Sequence, residues 1–430
     1  MSVYLALVDI LERYRLSQAL DASCGLSNLR LGLLDLGPNL GSEECFSIAK
    51  EWLDSCLNDH SRAGKCRSME DMPLPTRLID IGMLGTVELP KLFHSSGQKG
   101  CYVTLSYCWG AALTLKTTKA SLDNHLRDIP LGLLPSTLRD AMRITRRLGF
   151  RYLWVDAICI IQDSQEDWEK ESSVMDLVYA NATLTIAAAA EKDDDSGLLN
   201  IPSYVTEDFE EYCHFKLHLQ SPPYDIVRVS SHRDYESFYS CFVGLPLCTR
   251  GWALQERLLS QRILSYGEDQ IFFQCRSAHL SADGIPPEES YTVESAIAAL
   301  LDFPSQLFNN SSSNVSDSKT IYDKWMAIVL DYCEIRQLTF PNDKLPALGG
   351  IASAIQRETC DEYLAGIWSA DFNRGLLWNL HDRDKEQRER APSWSWARWD
   401  NGIEFGFTTL NKCLTATRRS SSATIYNFVD

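Results

Sequence analysis

Leu134–Ala189 reads LPSTLRDAMRITRRLGFRYLWVDAICIIQDSQEDWEKESSVMDLVYANATLTIAAA, and its hydrophobic period changes three times. Pro135 and Ser136 open a helix whose inner face carries Leu138, Ala141, Met142, Thr145 and Leu148, with Gly149 as its stop. Arg139, Arg143, Arg146 and Arg147 fall on the other face and read as a solvated basic stripe. RYLWVDAICIIQ is almost continuously apolar, as in a strand covered on both faces. DSQEDWEKESSVMDLVYANA reads as one helix, with Ser164 and Asp167 spaced like a capping box, and TLTIAAAA as a further buried strand. Upstream, Val103, Leu105 and Tyr107 alternate with Thr104, Ser106 and Cys108 in a strand ending at Trp109-Gly110. Downstream, CTRGWALQERLLSQ is helical, and RILSYGEDQIFFQC gives two short strands around a Gly-Glu-Asp turn. Strands alternating with helices predict an α/β fold, a mainly parallel sheet flanked by helices.

That domain is expected over residues 101–275, with a polar insertion at about 191–245. Residues 1–100 form an N-terminal helical and irregular flank. It holds a helical tract over 1–40, a short helix around Phe46, Ile48 and Trp52, and two short strands in LPTRLIDIG and TVELP. Residues 276–430 form a C-terminal helical and Trp-rich region, with a Ser/Asn-rich mobile loop at about 305–319.

A net charge of −17 and a pI near 5.0 argue against a nucleic-acid partner. No run of about 18 apolar residues occurs, so no membrane span is expected. The first residues carry Asp9, Glu12 and Arg13 within their apolar run, unlike a secretory signal, and the expected location is cytoplasmic. The scattered cysteines then read as buried free thiols. Cys45, Cys56, His60 and Cys66 are spaced C-x10-C-x3-H-x5-C, which could make a zinc site but lacks the tight paired C-x2-C knuckle, so no metal ligand is assigned. Cys159 reads as buried and inert. Ser106 has no histidine nearby in sequence, and a hydrolase triad is not read. Neither a P-loop nor a dinucleotide-binding glycine fingerprint is present, so no bound cofactor is expected.

Three blocks, YVTLSYCWG (102–110), Leu134–Ala189 and RGWALQERLLSQRILSYG (250–267), resemble the fungal HET, or heterokaryon-incompatibility, family in order and spacing. Outside them, WLDSCLNDH, LPTRLIDIG, DKLPALGGIA, YLAGIWSADFNRGLLW and APSWSWARWDNG also resemble family members. Gln274 in FFQC departs from the pattern, many relatives having an acid there. The resemblance implies an effector of non-self recognition and programmed cell death, with self-assembly and an unknown fungal sensor or incompatibility partner as expected partners.

The order of elements also resembles TIR domains, and with them the flavodoxin-like order, although the gap 191–249 has no simple TIR counterpart. Under that mapping Glu256 falls where NAD-hydrolysing TIR enzymes keep their catalytic glutamate. NAD then enters as a substrate, cleaved at the nicotinamide–ribose bond. One carboxylate near the ribose stabilises an oxocarbenium-like transition state. Trp252 and Glu256 lie four apart and share a helix face. Tyr107, Trp109, Gly110, Asp156, Gln162 and Arg250 complete the expected substrate-binding set, at strand ends where open α/β sheets hold ligands. The alternatives are structural. Glu256 pairs with Arg250 or Arg257, Asp156 is hydrogen-bonded scaffold, Trp109, Trp154 and Trp252 pack in the core, and the chain acts as a non-enzymatic signalling module.

Overall fold

The computed structural model describes residues 39–406, less 64–65, 69–71, 86–88, 110–114, 192–196, 201–211, 217–225, 231–235, 237–243, 283–315, 381–387 and 401. The helical tract expected over 1–40 lies outside the described residues, apart from its last two positions.

Helix α1 (Glu43–Ser55) begins at Ser42, whose side chain accepts the Cys45 N–H. It buries Cys45, Phe46, Ile48, Ala49 and Leu53. Strands β1 (Arg77–Asp80) and β2 (Lys91–His94) follow as an antiparallel pair. The second of these lies beyond the TVELP segment expected to form it, and residues 86–88 fall outside the described set.

Strand β3 (Val103–Ser106), helix α2 (Ser136–Arg147), strand β4 (Tyr152–Trp154), helices α3 (Asp156–Cys159), α4 (Gln165–Ser172) and α5 (Met175–Asn181), and strand β5 (Leu184–Ala188) build the centre. Strands β6 (Tyr212–Lys216) and β7 (Ile226–Ser230) form a separate antiparallel pair within the insertion. Helix α6 (Gly251–Leu259) leads into strands β8 (Arg262–Tyr266), β9 (Ile271–Cys275) and β10 (His279–Ser281).

One eight-stranded sheet runs in the order β10-β9-β8-β5-β3-β4-β1-β2. Its four central strands, β8, β5, β3 and β4, are parallel as expected. Antiparallel strands extend both edges, so the whole sheet is mixed. The chain enters the parallel strands at β3, adds β4 on one side, then crosses back to add β5 and β8 on the other. The switch point therefore lies between β3 and β5, which pair in register from Val103↔Leu184 to Ser106↔Ala187.

Three local readings are corrected. RYLWVDAICIIQ is not one long strand: β4 ends at Trp154, and Asp156 starts a helical turn in which its carboxylate accepts the Ala157 N–H at 2.7 Å. A strand covered on both faces offers no partner for a buried carboxylate, and turning the chain brings Asp156 to the sheet's rim. The following helix breaks at Ser173-Val174, and Ser164 caps nothing. Asp167, its expected capping-box partner, instead accepts the Ile161 N–H at 2.8 Å and pairs with buried Arg77.

Helix α2 matches its expected span, and Gly149 closes it at φ 91°. Its arginines are exposed or half-buried as a solvated stripe should be, and three of them also hold neighbouring segments. Arg146 donates to the Ile81 carbonyl at 2.7 Å, and Arg143 to that of Gly41 at 3.3 Å. Arg147 pairs with Glu43, and Arg143 and Arg147 sit 5.6 and 5.1 Å over the Phe46 ring. Arg143, Arg146 and Arg147 thus clasp the N-terminal flank, while Arg139 bonds within its own helix start.

In the C-terminal region, helix α7 (Ser316–Ile335) is followed by helix α8 (Pro346–Thr359), which packs against α6. The expected loop at 305–319 lies outside the described residues up to 315, and its last four residues already belong to α7. Trp325, Tyr363, Trp368 and Trp396 form the Trp-rich core there, and the Gly366 carbonyl accepts both the Trp325 and Trp396 indole N–H groups, at 3.0 and 2.9 Å. No described helix is long and apolar enough to cross a membrane.

Candidate functional site

Thr104 and Ser106 on β3 and Thr185 on β5 point to one face of the sheet, beneath α6. Their hydroxyls continue into the helix: Thr104 contacts Thr185 at 2.7 Å, Thr185 contacts Ser260 at 2.6 Å, and Ser260 donates to the Glu256 carbonyl at 2.6 Å. Ser106 Oγ donates to Glu256 Oε2. This polar row inside an apolar sheet is what the period-two alternation Thr104/Ser106 encoded.

Glu256 is 1% exposed. Burial raises its pKa to about 7, helped by the neighbouring Asp156 charge and opposed by Arg250 and by hydrogen bonds from Ser106 and Tyr179. Asp156 is raised as well, by burial first, against the pull of Arg250, the Ala157 N–H and the Trp109 and Tyr107 side chains. Arg250 donates to the Tyr107 carbonyl. Burial disfavours its charge, and the Glu256 and Asp156 carboxylates outweigh that and raise its pKa. Among the described residues Arg250 makes no direct ion pair with either acid, so it acts on both through space. Two carboxylates thus lie near one guanidinium in a desolvated setting, and burial raises the pKa of both.

Sequence reasoning placed Tyr107, Trp109, Asp156, Arg250 and Glu256 together, and the fold does bring them together. Trp109 donates its indole N–H to Asp156 at 2.9 Å and is 38% exposed, so it is the member of the group that faces solvent. Gly110 lies outside the described residues. Gln162 is near but structural: its amide donates to the Asp156 and Ile160 carbonyls at 3.0 and 3.1 Å, closing the α3 turn. Trp252 is not in the group. Its indole N–H turns to Asp343 at 3.2 Å, toward the C-terminal region. Trp154 is buried in the core, edge-on to Tyr179 at 5.7 Å. Cys159 is buried, its thiol pushed up to about 12 by desolvation, as an inert cysteine should be. Gln274 accepts from Arg257 at 3.4 Å.

Sequence alone did not point to Ser106 as a partner of Glu256, or to Tyr179. Ser106 was weighed only as a nucleophile. The Tyr179 hydroxyl donates to the Leu105 carbonyl at 3.3 Å and also reaches Glu256. Beside Ser106, a small cavity at the carboxyl ends of β3 and β5 is lined by Thr185, Ala187, Cys248, Arg257 and Arg336. It has room for a water molecule or two, not for a nucleotide.

Residues 102–256, which span this group from Tyr102 to Glu256, match the family model described as heterokaryon incompatibility protein (HET). Heterokaryon incompatibility protein 6, OR allele, of Neurospora crassa is 33% identical over 105 residues, covering 22% of this chain and 15% of that protein. The chain therefore matches only a small part of that relative's length. No solved structure matches the chain.

Proposed function

We propose that this chain, which carries a HET domain, is an effector of heterokaryon incompatibility, and that Glu256 is the reactive acid of its HET domain. The observation that carries the second half is placement. A carboxylate with a pKa near 7 lies at the carboxyl end of the β3/β5 switch point, where α/β sheets hold their ligands. The parallel strands, numbered in their own chain order, run 2-1-3-4, in keeping with a flavodoxin-like or TIR-like order as far as the fourth strand.

The reaction that suits this group is cleavage of the nicotinamide–ribose bond of NAD. Nicotinamide departs as a neutral base and the ribose carries developing positive charge. Glu256, as carboxylate, stabilises that charge. Ser106 holds one of its oxygens by a hydrogen bond, the Tyr179 hydroxyl lies nearby, and Arg250 favours its ionised form. Trp109, exposed and tied to Asp156, offers a ring at the surface for a nicotinamide or adenine, and the reaction requires that the buried Glu256 be uncovered, since the cavity beside Ser106 admits only water. Water then adds to the ribosyl carbon and gives up one proton to solvent, leaving ADP-ribose and free nicotinamide.

A second reading rests on the burial of Glu256 and its tie to Ser106. Here the acid is scaffold, and the domain signals by self-assembly or by binding a fungal sensor or incompatibility partner in the cytoplasm. Nicotinamide release from NAD by the concentrated full-length protein, with Glu256→Gln alongside, separates the two. Release lost in the variant supports catalysis. Absence of release from both, while expression still kills cells, establishes the second reading.

A further inference from the structure

Cys56, His60, Cys66 and Cys275 each bring a ligand atom to one point, all within 4.8 Å of one another. Cys56 and His60 begin and end a π-helical turn, Cys56–His60, that continues α1. Widened turns of this kind recur at functional sites. Cys66 returns with its N–H on the His60 carbonyl at 3.2 Å. Cys275 is the last residue of β9, and its sulfur lies 3.4 Å from His60 Nδ1. Cys45, which the spacing grouped with the first three, is not part of this cluster; a residue more than two hundred positions away takes its place.

The distances suit a metal. Zinc with Zn–S near 2.3 Å and Zn–N near 2.0 Å, tetrahedrally arranged, sets its ligand atoms about 3.5 to 3.8 Å apart. The three cysteines are buried and His60 is half-buried. An independent observation concerns charge. Arg262 is fully buried and directs its Nε to Cys56 Sγ at 3.1 Å. Its other bonds go to the Arg67 and Thr183 carbonyls and the Ser61 hydroxyl, and among the described residues no carboxylate pairs with it. A buried guanidinium requires an anion. Three neutral thiols do not supply one, whereas three thiolates on a divalent zinc carry one net negative charge. The Ser277 N–H, 3.4 Å from Cys275 Sγ, adds a donor of the kind that steadies metal-bound thiolates.

We propose that Cys56, His60, Cys66 and Cys275 form a four-coordinate zinc site, with Arg262 as its buried counter-charge. On binding, the three thiols release three protons to solvent and no redox change occurs. Four protein ligands leave no open position, so the ion is structural. It pins the N-terminal flank to the antiparallel edge of the sheet.

The test is metal content of the full chain, purified under reducing conditions without chelator. About one zinc per chain is expected, with thiolate-to-cobalt charge-transfer absorption on cobalt exchange and a melting temperature that falls on chelation. Cys66→Ser and Cys275→Ser should weaken zinc binding at least about tenfold, and Cys45→Ser should leave it unchanged. If either ligand variant fails to fold, the cobalt spectrum and the chelator response of the unaltered chain still decide. Zinc at background with no charge-transfer band overturns the proposal. So does full zinc retention in Cys66→Ser, or a disulfide among Cys56, Cys66 and Cys275 in protein alkylated at lysis.

Discussion

Two buried ionisable clusters sit at opposite ends of the same strands. At the carboxyl ends of β3 and β5, Glu256 and Asp156 outnumber Arg250, and the surplus is negative. At the amino end of β8, Arg262 faces Cys275 of β9, and with Arg67 and Arg276 nearby the thiols sit among cations. Each cluster relieves its imbalance with a different small particle. In the first, burial raises both carboxyl groups toward the protonated form. The second takes up a metal ion, which stays. A buried acid left near neutrality and a buried cation among thiols are both costly arrangements, and they mark the two places where this fold departs from simple packing.

The comparison breaks most visibly at Arg262. Arg262→Met keeps most of the volume and removes the counter-charge, and should lower unfolding stability by about 3–5 kcal/mol in zinc-replete urea titrations. A loss under about 1 kcal/mol would mean that the cluster is not anionic.

Glu256 is the next largest. Its folded pKa, about 7, stands above the unfolded value, so the folded state binds the proton more tightly. The associated stability is fully present below about pH 4.5 and is lost as pH rises through about 7, by up to roughly 3 kcal/mol. Glu256→Gln, a permanent mimic of the protonated form, should remove most of that fall. The variant should then match the unaltered chain at pH 5 and exceed it at pH 8 in chemical denaturation. A variant that loses more stability at pH 8 than at pH 5 would show the carboxylate to be a structural anchor.

Ser106→Ala withdraws a hydroxyl from a buried carboxylate and should cost about 2 kcal/mol, more at pH 8 than at pH 5, since the bond is stronger to the ionised acid. The smallest effect belongs to Trp252→Phe. It loses the Asp343 hydrogen bond, costs about 1 kcal/mol, and leaves any NAD consumption intact because Trp252 lies outside the acid group. Lost NAD turnover in Trp252→Phe would return that residue to the site.

The acid cluster was largely legible in the sequence because its members lie on short motifs at the ends of strongly patterned elements. Tyr107 and Trp109 close a strand, Asp156 interrupts an apolar run, and Glu256 shares a nine-residue helix with its Trp. The parallel strands were legible for the same reason. What sequence missed was governed by partners far along the chain. The α2 arginines, solvated as read, also meet Gly41, Glu43, Phe46 and Ile81. Asp167 looks like a helix cap until Arg77, ninety positions earlier, claims it. Spacing near residue 60 grouped Cys45 with Cys56, His60 and Cys66 and does not reveal Cys275, which stands beside the last three instead.

Helix α6 offers one further consequence. Gln255 and Glu256 are adjacent residues on a single helical turn, yet they serve opposite neighbours. The Gln255 side chain accepts the Gly350 N–H of α8 at 2.8 Å, while Glu256 meets Ser106 of the sheet. At the helix start Gly251 donates to the Gln337 carbonyl at 2.8 Å, in a gap where an added methyl would come within 2.5 Å of Leu338. The helix is thus gripped by the C-terminal region on one side and by the acid cluster on the other. The C-terminal region and the sheet are joined through two neighbouring side chains of one helix, with no intervening residue between their anchor points.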